Sequence, residues 1–264
     1  MASTAVVENP NGPLFMTTRF APMLRFDPAT NTYIYYGSGV PNDLTTSTRF
    51  ESNEIVGAPA NFETRRHGYT GDSGQSGSLE DLKLFVPGSA NTQLALTYVS
   101  YGVRSIWRVN SPYEYREYFY YGVSTPTANL PTSGSASLSG IAEGTFFDGT
   151  VPYRLTGSST LSADFAAGTV TASLNLNGTT QIIGANPFGS EQYAGLGVIG
   201  ANNQYPPPQF YGTLTSTTNV THTGNFSGSF FGPAANEYGF IFSISRGAFG
   251  TPGGGVGVGV AVGN

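Results

Sequence analysis

Few residues in this chain could do chemistry, and most of them lie in two short stretches. The first is Arg65-Arg66-His67-Gly68-Tyr69. A haem iron needs one axial imidazole or phenolate, and guanidinium groups can hold its propionates. Haem is therefore the cofactor this stretch suggests, with a solvated loop carrying a surface histidine as the competing reading. The second stretch holds Tyr113, Tyr115, Tyr118, Tyr120 and Tyr121, with Arg116 among them and Trp107 close by. Rigid amphipathic rings of this kind are enriched at recognition surfaces. The same spacing also suits a strand whose rings cover both faces of a small sheet. The ligand-binding candidates are His67, Arg65, Arg66, Tyr69, Trp107, Tyr113, Tyr115, Arg116 and Tyr118, a Tyr of the cluster being the alternative axial ligand.

Catalytic signals are thin. Gly71-Asp72-Ser73-Gly74 matches the nucleophile motif of trypsin-like proteases, but the chain order of the partners and the two-barrel sequence around it are missing. No Gly-x-Ser-x-Gly elbow is present. His222, the other histidine, reads as a barrel-strand residue. Two separated histidines and scattered carboxylates have no metal-ligand spacing, and Asp72 and Asp81 form no calcium loop. There is no cysteine, hence no disulfide or thiolate site. The expectation is a protein with no catalytic residue and no metal.

The elements that would carry these residues are strands. Charged residues make up 10% of the 264, against a norm of about 25%. With 36 Gly and 17 Pro, a large share of the chain disfavours helix. Alternation recurs in Leu82/Leu84/Val86, in Val99/Tyr101/Val103 and in Val170/Ala172/Leu174/Leu176. Asp148-Gly149 reads as a two-residue hairpin setting Phe146 opposite Val151, and Asn177-Gly178 as a second such turn. Residues 68–78 read as a mobile loop. Tyr238, Phe240, Phe242 and Ile244 share one face of a returning strand.

Composition breaks near residues 125–133. Nine of the 11 basic residues precede it, and only Arg154 and Arg246 follow, among Ser, Thr, Gly and Ala. The net charge of −5 with no basic cluster argues against a nucleic-acid partner. No run reaches the ~20 apolar residues of a membrane helix. The first ten residues lack a charged and an apolar region, which suggests a trimmed start or export without an N-terminal signal. In the last segment Val256, Val258, Val260 and Val262 point to one side, with Gly or Ala on the other. That pattern suits an ordered strand on a sheet edge, either of this chain or of a neighbouring copy as in strand-addition assembly, or an export signal.

Three segments carry a resemblance. One runs Leu96-Thr97-Tyr98-Val99-Ser100-Tyr101-Gly102-Val103, with Tyr121-Gly122-Val123 and the stretch from Leu130 to Gly140. Another is Leu155-Thr156-Gly157-Ser158-Ser159-Thr160-Leu161-Ser162-Ala163-Asp164-Phe165. The third is Gly228-Ser229-Phe230-Phe231-Gly232-Pro233-Ala234-Ala235-Asn236-Glu237-Tyr238-Gly239. In order and spacing, over residues 80–246, they resemble the transferrin-binding-protein-like solute-binding family. The resemblance implies an all-β chain: an irregular N-terminal handle-like β domain followed by an eight-stranded antiparallel barrel. The expected division is an arm at 1–13, the handle at 14–130, the barrel at 131–249 and a Gly/Val tail at 250–264. It also implies a non-enzymatic surface or secreted binder of a small ligand, such as haem or another nutrient, or of a protein. The lipobox cysteine of lipoprotein relatives is missing here, and the tail is not a family pattern. The rival expectation is a self-assembling structural surface protein.

Overall fold

Side-chain alternation at period two builds nearly everything in this chain. The computed structural model describes residues 2–8, 15–19, 23–36, 47–57, 60–69, 77–108, 114–180, 182, 184–200, 207–218, 221–246 and 253–263, with side chains left out at 2–8, 15–19, 23 and 108. Three β layers are formed. A small sheet holds β3 (Met23–Asp27), β4 (Thr32–Tyr36) and β5 (Thr48–Phe50). A large sheet holds β1 (Ala2–Glu8), β2 (Phe15–Arg19), β6 (Ile55–Gly57), β7 (Phe62–Tyr69), β8 (Ser78–Phe85), β9 (Val99–Arg108) and β10 (Glu114–Gly122), in the order β2-β1-β10-β9-β8-β7-β6. A closed antiparallel barrel follows, from β11 (Ser135–Phe147), β12 (Pro152–Asp164), β13 (Thr169–Thr179) and β14 (Ser190–Ile199) to β15 (Gln209–Ser216), β16 (Thr223–Phe231), β17 (Glu237–Ser245) and β18 (Gly254–Gly263). The fold is all-β, with an eight-stranded barrel behind smaller N-terminal sheets.

Inward positions of the barrel are apolar. Val170, Ala172, Leu174 and Leu176 from β13 meet Tyr238, Phe240, Phe242 and Ile244 from β17 and the rings of Phe146, Phe210, Phe226 and Phe230. Eight strands leave an interior just wide enough for side chains, and these rings occupy it.

The two faces of the large sheet do different work. Phe85, Val99, Tyr101, Val103, Tyr118 and Tyr120 face the barrel, where they meet Phe231, Ile241, Val256, Val258 and Val260. Leu82, Leu84 and Phe119 face the other way, onto Tyr35 and Phe50 of the small sheet. Polar contacts lock the barrel seam. The Glu237 carboxylate accepts the backbone N–H groups of Thr97, Tyr98 and Val99 at 2.6–2.8 Å. Lys83 reaches Glu143 at 2.9 Å, and Arg154 reaches Glu114 at 2.9 Å.

Several expectations are corrected. The arm is not separate, because Ala2–Glu8 pairs along β10. The tail is the eighth barrel strand, pairing β11 on one side and β17 on the other. With both edges used and Val256, Val258 and Val260 almost wholly buried against the large sheet, and Val262 packed beside them, this strand is not a docking strand for another copy. Asp148-Gly149 lies in a four-residue connection, and Phe146 stands opposite Tyr153. There Asp148 Oδ1 accepts the N–H groups of Thr150 and Val151 and organises the turn. Asn177-Gly178 is not a turn but part of β13. Its glycine is needed for space, since a Cβ there would lie 2.4 Å from the Phe188 ring. Of the expected 68–78 loop, Gly68, Tyr69 and Ser78 are strand residues, and 70–76, with Ser73, lies outside the described residues.

Trp107 is the only tryptophan and sits in the large sheet, so its fluorescence reports that layer while far-UV circular dichroism is dominated by the barrel. Val258→Ala should cost about 2 kcal/mol and shift both signals together. Val258→Asp should remove both. Two separate transitions in the wild type would show that the layers unfold independently.

Candidate functional site

β7 divides the first candidate stretch between two faces. Arg65, His67 and Tyr69 turn toward the small sheet, and Arg66 turns to the barrel side. Arg65 is 1% exposed. It bonds Glu63 at 2.6 Å, the carbonyls of Asn31 and Phe50 at 2.5 and 3.0 Å, and the Asn31 side chain at 2.9 Å, while covering the Tyr33 ring. His67 Nδ1 lies 2.6 Å from Glu54 Oε1, and its ring meets Tyr69 and Phe50 edge-on. The Tyr69 hydroxyl is 2.8 Å from Thr48 Oγ1 and 3.2 Å from Glu80 Oε2; burial raises its pKa above the ordinary value of 10. An imidazole bonded to a carboxylate through Nδ1 resembles a ligating one. The propionate partners are nevertheless withdrawn: Arg65 is buried, and Arg66 forms a two-pronged pair with Asp81 at 2.7 and 2.7 Å on the opposite face. The expected haem cluster is thus not assembled.

The tyrosine cluster is split in the same way. Tyr115 faces the small-sheet side of β10, whereas Arg116 and Tyr118 face the barrel side. Arg116 pairs with Glu114 at 2.5 Å. Tyr118 is fully buried, 2.5 Å from Thr145 Oγ1, and burial pushes its hydroxyl up to about 12. Tyr113 lies outside the described residues. What remains accessible is the end of the large sheet. Arg66 keeps 45% of its side chain exposed. Asp81 holds its guanidinium over the Trp107 ring, 5.8 Å from the centroid. Leu79, opposite Trp107 in register, is exposed, as is Tyr69 around the strand.

Two charged clusters escaped the sequence reading. Between the sheets, Arg104 bonds Glu80 at 2.5 Å and lies 3.7 Å from Glu117, and all three are essentially buried. Burial opposes the charge on Arg104, but the two carboxylates outweigh it. Strand phase is the signal for this cluster: Glu80 keeps step with Leu82 and Leu84, and Glu117 with Tyr115 and Phe119, so both carboxylates point inward. At one mouth of the barrel, buried Glu191 joins His222 Nδ1 and Arg246, the latter at 2.9 Å. Arg246 lies over Phe188 and Phe146, at 4.0 and 4.6 Å. Among the described residues no group of three or more His, Cys, Asp or Glu gathers to hold a metal, and no helix is long and apolar enough to cross a membrane.

No family model matches the chain, and no curated protein matches it. Solved structures do. A double mutant of transferrin binding protein B from Haemophilus parasuis Hp5 is 16% identical, with a TM-score of 0.52 over 99% of this chain and 45% of that one. The isotype 1 protein from serogroup B Neisseria meningitidis is 16% identical, with a TM-score of 0.51 over 100% and 44%. The intact Ap-TbpB, with its N and C lobes, is 12% identical, with a TM-score of 0.50 over 100% and 46%. The fold is TbpB-like, and the chain spans less than half the length of these proteins.

Two outcomes follow from this geometry. Hemin at micromolar concentration should produce no Soret shift; a shift lost in His67→Ala would restore the haem reading. At the barrel mouth, burial raises the Glu191 pKa, but hydrogen bonds from His222 and Arg246 outweigh it and hold the carboxyl below its ordinary 4.5. A carboxyl more acidic folded than unfolded adds stability above its unfolded pKa, and that stability is lost as pH falls through the folded value. Glu191→Gln should therefore lose less melting temperature than wild type between about pH 6 and about pH 3. Equal losses would show that Glu191 does not carry the acid response.

Proposed function

We infer that this chain is a non-enzymatic binding protein of the cell surface or the extracellular space, and that it takes a protein partner on the end of its large sheet. The likeness of the whole chain to one part of the transferrin binding proteins B carries the reading. Those proteins bind transferrin by name, and 46% of a two-lobed chain corresponds in length to about one lobe. The partner of this chain is a separate matter, since a shared fold does not transfer a ligand.

The site rests on Arg66, Trp107 and Leu79, which share one face at the end of the large sheet. Trp, Tyr and Arg are enriched at binding hot spots, the rings because they combine contact area with few degrees of freedom. The Asp81 pair holds Arg66 over Trp107 in advance, which lowers the entropy lost on binding. His67 is held by Glu54 and Arg65 is buried, so this end suits a protein better than haem. Nutrient capture then means capture of a carrier protein.

Antibody should label the protein on intact cells, or find it in the medium; detection only after lysis would overturn the location. A photoreactive residue at position 107 should crosslink one protein partner in the native setting, and one at position 215 on the barrel should not. Arg66→Ala should weaken the position-107 product at least fivefold. No product from position 107, or equal products from both positions, would overturn the site.

A further inference from the structure

The Ser, Thr and Asn of the second half are not spread evenly over the barrel. On β12 to β16 they take the outward positions, where strand register aligns them in rows. Ser162, Thr171, Leu196, Thr213 and Asn225 form one such row across five strands. Three further rows of Ser, Thr, Asn, Gln and Ala run from it toward the Glu191 mouth, and their side chains are mostly exposed. Among the described residues one side-chain hydrogen bond is made within these rows, from Ser190 to Asn175. The other hydroxyl and amide groups face solvent.

These rows carry no charge. Glu143, Arg154 and Glu237 are spent on the large sheet. Glu191 and Arg246 are spent in the mouth, and Asp148 and Asp164 stand at strand ends, each bonded to its own turn. The wall faces away from the proposed protein-binding end and plays no part in that reading.

We propose that this uncharged wall binds a neutral polysaccharide. Each hydroxyl on it both donates and accepts, and side-chain amides do both as well; sugar hydroxyls have the same double character. A polyanion finds no cation here. A protein partner would call for Trp, Tyr or Arg anchors, and the rows contain none. A lipid bilayer would call for an apolar outward band, whereas Leu196 is the one large apolar side chain in these rows, exposed among hydroxyls and amides. Hydrogen bonds exchanged with water contribute little each. The ligand must therefore engage many rows at once, which selects a polymer over a free sugar.

Affinity electrophoresis in native gels containing dextran, hydroxyethyl cellulose or galactomannan tests this. The wild-type chain should be retarded in at least one of the three. Thr171→Lys with Thr213→Lys, which sets two charges in one row, should cut the retardation at least fivefold with the melting temperature kept. If that pair fails to fold, Thr160→Lys with Thr215→Lys replaces it. The Arg66→Ala with Trp107→Ala protein should be retarded like wild type, so the wall and the sheet end fail or stand separately. No retardation in any of the three gels, or retardation untouched by the lysine pairs, overturns the proposal. So does a dimer in sedimentation that the lysine pairs dissolve, because the wall would then be an interface between copies.

Discussion

A single strand, β18, has to satisfy two layers at once, and the rest of the molecule is arranged around that demand. Apart from Ala261, its inward positions are glycine because ring atoms already fill the space where a Cβ would go: at Gly259 a Phe240 ring atom would be 2.3 Å away, and at Gly257 a Phe242 ring atom 2.5 Å away. Its outward positions are valine because they cover the aromatic face of the large sheet. A β-branched residue favours a pleated, half-buried surface, so the strand offsets the entropy its glycines lose by packing the other side. A shift of one residue in register would drive valines into the phenylalanine rings and leave glycines against the tyrosines. Barrel closure and sheet docking are therefore two faces of one requirement.

Scarce charge becomes intelligible on the same plan. The barrel carries few ionisable groups, and most of them sit on a seam or in a mouth, where they fix relative position. Glu237 is the clearest case: one carboxylate satisfies three backbone N–H groups that would otherwise be left at the junction. Arg104 does the corresponding work between the two sheets, where Glu80 and Glu117 share its guanidinium. Removing one partner of such a buried group is far more damaging than the net value of the pair.

Much of the fold could be read from period two alone. The inward faces of β13 and β17 were legible in that alternation, while the barrel of eight and the smaller β domain before it were implied by the resemblance. The same rule, applied to Arg65-Arg66-His67 and to Tyr115 and Tyr118, separates neighbours onto opposite faces, which is why neither cluster survives as one pocket. Other features needed the third dimension. Asn177-Gly178 has the composition of a turn, and only the Phe188 ring lying over it explains the glycine. The valine face of β18 shows that something covers it but not what: a sheet of the same chain and a neighbouring copy leave the same pattern. The ion pairs at the seams join residues far apart in sequence, and alternation is blind to partners at that distance.

The position of β18 in the chain also bears on how the protein is made. Its partner β11 is synthesised long before it, and Leu138 must wait for Gly263. At ribosomal speeds of about 5–20 residues per second, that interval is roughly 6–25 s. Over that time the nascent chain holds an open barrel and a large sheet whose tyrosine and valine face has no cover. Such a chain stays pliable and exposed until this strand arrives, which gives chaperones a long period in which to engage it before it closes.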